Sequence, residues 1–178
     1  MEIPYLLIQV IGFTGTILFF LSFQCKRNRR LFQVQFLSYL FYTIHLLLLG
    51  ATTGAVSYLI NLLRSACLGS RWEFAKSRYM CGLLCLLQIA ALCFTWAGPL
   101  SILPVAANIA STLGGYTNNA RKIRLAGMLI NSPLWILYDV AVGSWAGIMD
   151  EVVSELSMLI SIWRYGWKGL DGSGEEKG

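Results

Sequence analysis

The 178-residue chain is 56% hydrophobic and only 13% charged, with a formal net charge of +5 and a mean hydropathy of +0.61. A soluble domain needs roughly a quarter of its residues charged to cover its surface, so that class is excluded. The apolar runs reach the roughly 20 residues that a bilayer-spanning helix requires, which predicts an all-α, polytopic membrane protein.

Taken in order, the first apolar run extends from about Ile3 to Gln24 and contains Gly12 and Gly15. Met1-Glu2-Ile3-Pro4 has no basic leader, so this run is expected to stay as a span rather than be removed as a signal peptide. The basic loop Cys25 to Arg30 follows, then a second span from about Leu31 to Leu49, closing on Gly50. A third, from about Ala55 to Leu68, carries Asn61 in its middle and Arg64 near its end. A fourth, Tyr79 to Trp96, has Gln88 as its only strongly polar side chain and no counterpart elsewhere, which makes it a connector. The fifth, about Leu100 to Thr117, contains Pro104 and Asn108; the sixth, Leu125 to Val142, contains Asn131-Ser132-Pro133 and closes on Gly143. The seventh runs from Trp145 to Trp163, and a Gly- and Glu-rich tail ends the chain.

An offset of 93 residues lays Gly50 on Gly143, Gly54 on Gly147, Arg29 on Lys122 and Phe23 on Tyr116. The expectation is therefore seven transmembrane helices arranged as two parallel three-helix repeats joined by a connector helix. The units are residues 1–69, the inner loop and connector 70–98, the second repeat 99–164, and a disordered cytoplasmic tail 165–178. Because one helix separates two three-helix units, both copies have the same orientation, related by an axis along the membrane normal.

The charges agree with this plan. Basic residues fall in or beside alternate loops: Lys26 to Arg30, Arg64 to Arg78, Arg121 to Arg124, and Arg164 onward. The turns around Gly50, Gly98 and Gly143 carry none, so the positive-inside rule puts the N-terminus outside and the C-terminus in the cytoplasm. Orientation and contact with anionic lipid account for the basic loops without nucleic acid. The five cysteines form neither a disulfide nor a zinc pattern; Cys81 and Cys85, one helical turn apart, suit packing.

Polar residues in apolar helices are the candidates for chemistry. Asn61 must face protein or a wet cavity, serving either an interhelical hydrogen bond or a pocket. His45, the single histidine, can pack or bind. Asn131, Trp135 and Tyr138 share one helix face, able to stack a ring and bind its edge, or to form an interfacial belt. Asp150, Glu151 and Glu155 interrupt the seventh span. Asp150 and Glu151 are expected to lie near the outer surface. Glu155 is expected to be the deepest and to pair with Arg64 across the two halves, with proton coupling as the sharper alternative.

Leu21-Ser22-Phe23-Gln24, the run from His45 to Gly50, Asn61-Leu62-Leu63-Arg64, Leu103-Pro104-Val105 and Ile162-Trp163-Arg164 together resemble the YgjV-type family of bacterial inner-membrane proteins over nearly the whole chain. That architecture is in turn similar to SWEET and PQ-loop transporters, including the bacterial nicotinamide riboside carriers. The resemblance implies that an aromatic in the second helix and an asparagine sixteen residues later line a central pocket. Here the matching pairs are His45 with Asn61, and Tyr138 with Ser154. Histidine stands where tryptophan is usual, Ser154 where a second asparagine is, and Phe23 where the proline of the Pro-Gln motif is, which puts a sugar substrate in doubt.

The expected function is a small-solute carrier of the bacterial inner membrane, moving a sugar-like, nucleoside-like or similar metabolite through a midplane pocket. His45, Asn61, Asn108, Asn131, Trp135, Tyr138 and Ser154 would bind the solute, and Gly12, Gly15, Pro104 and Pro133 would be hinges for alternating access. No catalytic set, cofactor motif or metal cluster is legible, so an enzyme is not expected. The expected partners are a solute and the lipid bilayer; a monomer suffices, and a homo-oligomer is compatible with it. The rival is a scaffold or assembly protein, whose polar and small residues would face lipid rather than the interior.

Overall fold

Pro4, whose missing N–H is no loss ahead of a helix, precedes the first helix in a computed structural model that describes residues 4–170. α1 covers Tyr5–Phe23, α2 Asn28–Leu48 and α3 Thr52–Gly69. α4 covers Arg78–Phe94 and α5 Ile102–Tyr116. α6 runs from Ala120 to Val142 and is interrupted by a π-helical turn at Gly127–Asn131. α7 covers Trp145–Tyr165, and α8 is a single turn at Trp167–Leu170. No strand occurs among the described residues, so the chain is all-helical as expected.

Local chemistry sets the ends. Gly50 (φ +74°) and Gly143 (φ +71°) end α2 and α6 in the left-handed region that a Cβ disfavours, and they are the two glycines that the repeat offset superposes. Side chains of Ser77, Asn119 and Ser144 accept hydrogen bonds from the first free amides of α4, α6 and α7.

The helices close a ring. α1 packs on α2 and α7, α2 on α3, α3 on α5, α5 on α6, and α6 on α7. α4 lies outside it, against α3 and α5, and Gln88 ties it to α3 by donating from Nε2 to Ser57 O (3.2 Å). The exterior is apolar: Leu6, Ile17, Leu86, Phe94 and Leu137 are all more than half exposed. The interior is unusually polar. His45, Asn61, Arg64, Asn108, Asp139, Asp150 and Glu151 are all buried. That distribution is the reverse of a soluble protein's and suits a lipid exterior.

By length and apolarity, three helices among the described residues are able to cross a membrane: Tyr5–Phe23, Asn28–Leu48 and Ala120–Val142. Of the seven expected spans, α3 and α7 fall short in apolarity because they carry the polar groups of the interior. α4 and α5 fall short in length, at 17 and 15 residues.

The residues read as hinges sit in different settings. α1 is one uninterrupted helix through Gly12 and Gly15. A Cβ on Gly12 would stand 2.5 Å from Ala146 Cβ of α7, and one on Gly15 would stand 2.8 Å from the Tyr42 ring of α2. Both glycines therefore allow close helix contact. Pro104 is the third residue of α5, where its lost N–H has no helical partner to miss. Pro133 is the second residue after the π turn. The widened turn gives room to the carbonyl that a proline ring would otherwise strike, so this proline does mark a break in regular helix.

The end of the ring nearest the basic loops is sealed by Arg124. Its Nη2 donates to Phe23 O at the end of α1 (3.0 Å), Nε to Ser161 Oγ of α7 (3.0 Å), and Nη1 to Ala120 O (3.0 Å). Gln24 Nε2 adds a bond to Ser157 Oγ (2.8 Å). Arg124→Gln should shorten this clasp and destabilise the protein by about 1.5 kcal/mol, the lower end for a lost charged-donor bond. A thermal melt in detergent should register it as a fall of about 4 °C. The tail expected to be unstructured from residue 165 instead begins with α8, where Leu170 is fully buried and Trp167 lies under the Arg121 guanidinium. Residues 171–178, the rest of that expectation, lie outside the described residues.

Candidate functional site

Three helices meet at one amide. Asn108 of α5 accepts at Oδ1 from Asn61 Nδ2 of α3 (2.7 Å) and from Trp135 Nε1 of α6 (3.2 Å). Asn61 Oδ1 and Asn108 Nδ2 are left with no partner. Three of the residues singled out in the sequence are thus joined, and they bridge the two halves of the chain.

A column of rings rises beside this junction. Tyr58 of α3 stacks on Tyr42 of α2 (5.2 Å) and lies 4.4 Å from Trp135 of α6. Trp135 meets Tyr138 edge-on at 5.6 Å, and Tyr39 of α2 lies 5.5 Å from Tyr58. The face shared by Trp135 and Tyr138 therefore points inward, and the interfacial-belt reading of it does not hold. Tyr138 Oη accepts from Gly54 N at the start of α3 (3.1 Å), which needs the missing Cβ there, since one would stand 2.7 Å from the ring.

His45 is not in this column's opening. It is fully buried, with Nδ1 bonded to Ile8 O (2.9 Å) and Nε2 to Ser144 Oγ (2.9 Å). A carbonyl only accepts, so Nδ1 carries a proton; in the neutral ring Ser144 then donates to Nε2. With both nitrogens engaged, the histidine clasps α1, α2 and the start of α7 together.

The acidic residues are arranged differently from expectation. Asp150 and Glu151 are each 2% exposed, and Asp139 joins them from α6, while Glu155 is only half-buried. Asp150 faces Tyr42 and Ser154, Glu151 faces Ser132, and Asp139 lies against Gly147. One oxygen of each buried carboxylate has no hydrogen-bond partner. The ion pair expected between Glu155 and Arg64 is not formed; among the described residues, Lys76–Glu73 is the ion pair present. The reason is helical phase. Asp150, Glu151 and Ser154 occupy the inward face of α7, and Glu155, one residue further round, turns toward its flank.

Between this column and the basic loops lies a cavity of about 30 Å³, lined by Tyr39, Arg64, Asn131, Ser132 and Ser154 among others. Asn131 accepts there from Ser111 Oγ (2.8 Å). The expected binding residues therefore divide three ways. Asn131 and Ser154 line the cavity, Asn61, Asn108, Trp135 and Tyr138 form its packed roof, and His45 stands apart.

Tyr39, Tyr42, Tyr58 and Ser132 were not singled out by sequence reasoning. A signal for one of them existed: the 93-residue offset lays Tyr42 on Trp135. Among the described residues, no group of three or more metal-ligating side chains is arranged to hold a metal ion.

An all-helical chain with an apolar exterior, a polar interior and helices long enough to cross a bilayer is an integral membrane protein. The chain belongs to the Imp-YgjV family of bacterial inner membrane proteins, whose model matches residues 6–168. The inner membrane is accordingly its location. No curated protein and no solved structure matches it.

Proposed function

We propose that the protein is a small-solute carrier in which two three-helix units, α1–α3 and α5–α7, rock about a central pocket, with α4 as the connector. The observation that carries this reading is the direction of the polar groups. Asn61, Asn108, Ser132, Ser154, Asp139, Asp150 and Glu151 all turn inward, and several of their polar atoms are unpartnered. Polar groups inside a membrane are costly and belong to pathways or sites by default. A scaffold would gain nothing from orphaned polar atoms at its centre and would turn such groups outward to a partner.

The order of packing around the ring supports the internal repeat. Exchanging α1 with α5, α2 with α6 and α3 with α7 reproduces every neighbour relation in the ring, including the two contacts between halves, α3 with α5 and α7 with α1. His45 against the start of α7 and Tyr138 against the start of α3 are matching contacts under the same exchange. They lie at the end away from the basic loops, and Arg124 and Gln24 lie at the other, so both ends carry contacts that alternate opening would break in turn. The cavity has room for about two waters, which suits a closed state between the two openings.

Counterflow in proteoliposomes tests the reading. A panel of sugars, nucleosides, pyridine ribosides, amino acids and organic acids is offered to the wild type and to Asn61→Ala. Exchange of one class by the wild type, reduced at least tenfold in the variant, is the expected result. No exchange of any panel member by folded wild type would favour the scaffold reading. The orientation read from the basic loops predicts that a fluorescent protein fused at the C-terminus lights up in the cytoplasm, whereas a periplasm-dependent phosphatase fused there stays inactive.

A further inference from the structure

Arg64 is the odd member of the interior. It is 3% exposed and lines the central cavity. Its Nη2 donates to Tyr39 Oη (2.8 Å), and the guanidinium lies over that same ring at 5.6 Å. Nε and Nη1 have no partner, and among the described residues no carboxylate lies within ion-pair distance. Around it, Ser132 and Ser154 are also buried; Glu151 and Asp150 face them, but neither hydroxyl stands at hydrogen-bonding geometry with a partner.

The chemistry of the charges singles out this side chain. A buried carboxylate is relieved of its charge by taking up a proton, whereas a guanidinium keeps its charge in proteins and needs an anion. Leaving a charge buried without a partner is the expensive arrangement. Nε and Nη1 lie on different edges of the guanidinium, each edge shared with Nη2, so the second Nη2 hydrogen and one of these free donors leave one edge for the paired hydrogen bonds that oxyanions make. The cavity beside it, about 30 Å³, has the volume of about two waters, which matches a carboxylate-sized group and is far smaller than a sugar ring.

We infer that the central cavity is an oxyanion site, in which Arg64 is the counter-ion of a carboxylate- or phosphate-bearing solute and Ser132 and Ser154 are auxiliary donors. This rests on the carrier reading and narrows its substrate class from neutral metabolites to organic anions. The carboxylates of Asp139, Asp150 and Glu151 do not line the cavity, and none of the three is in ion-pair contact with the guanidinium. Tyr39 is a neighbour that Arg64 shares with Asp150 and Glu151.

The test is ligand-dependent thermal stabilisation of detergent-purified protein at constant ionic strength. Acetate, benzoate and inorganic phosphate serve as probe anions, with glucose and uridine as neutral controls. The expected result is a concentration-dependent rise in melting temperature with at least one anion and none with the neutral probes. Arg64→Gln should weaken the anion at least tenfold, and Arg64→Lys, which keeps the charge without the fork, should recover part of it. Acetate and benzoate acting without phosphate would assign a carboxylate, and the converse a phosphate. If no anion stabilises the wild type, or if Arg64→Gln, shown monodisperse and helical, binds as the wild type does, the inference is overturned. Counterflow separates the two readings. Exchange of neutral solutes that survives Arg64→Gln would leave the carrier standing and remove the anion site, whereas no exchange of any solute by the wild type removes the carrier itself.

Discussion

Asn108→Ala is expected to destabilise the protein by about 2 kcal/mol and to abolish solute exchange. The substitution removes the one acceptor that serves both Asn61 Nδ2 and Trp135 Nε1, so two buried donors lose their partner together. A buried orphaned donor costs about 1–3 kcal/mol. The average interhelical hydrogen bond in a membrane contributes only about 0.6 kcal/mol, because the separated helices find other partners. The larger figure applies here because Asn108 is fully buried, and the nearest polar neighbours are themselves short of partners. A melt in detergent should fall by about 6 °C. Asn108→Asp keeps the acceptor and loses the amide N–H₂, so it should recover most of the stability. If the alanine variant melts with the wild type, the junction is not what holds α3, α5 and α6 in register.

Gly12→Leu is expected to have the larger effect, about 3 kcal/mol or more, with loss of a monodisperse particle. The Cβ alone would stand 2.5 Å from Ala146 Cβ and 2.9 Å from His45 Nδ1. Neither can retreat easily. Ala146 is in the first turn of α7 and its amide is bonded to Gln9 Oε1 (3.0 Å), and His45 is held at both nitrogens. Overpacking of this kind ordinarily costs about 1–3 kcal/mol for extra methylenes, and here the added chain must push apart α1 and α7, one of the two seams between the halves. Gly12→Ala should show a milder form of the same defect, and Ala146→Gly should partly rescue it by removing the opposing methyl. Failure of that rescue would place the strain elsewhere.

Sequence alone carried the class of the protein a long way. Composition and run length are sums over many residues, and a bilayer imposes a length and an apolarity that few soluble folds share. The turns at Gly50 and Gly143 were legible because each is a local requirement for a left-handed backbone, repeated at one offset. The shared face of Trp135 and Tyr138 was legible because a helix has a fixed period. What periodicity did not reveal was which face meets which neighbour. His45 was read toward a pocket and is clasped elsewhere; Glu155 was read as the deep acid and turns aside; Asp150 and Glu151 were read toward solvent and are buried. One residue's rotation about α7 separates the outcomes for the three acids, and the packing of α1 and α6 against α7 sets that rotation.

The hinges show the same division. Gly12 and Gly15 as glycines imply either flexibility or close contact, and only the neighbour standing over each Cα decides between them. The sequence by itself determined an all-helical membrane protein and the glycine turns that end two of its helices, because those follow from local chemistry and from the bilayer as solvent. The tertiary structure decided which of these residues meet. The junction at Asn108, the ring column from Tyr39 to Tyr138 and the unpaired fork of Arg64 each draw on helices far apart in the chain, and contacts of that kind are fixed by packing that no local pattern encodes.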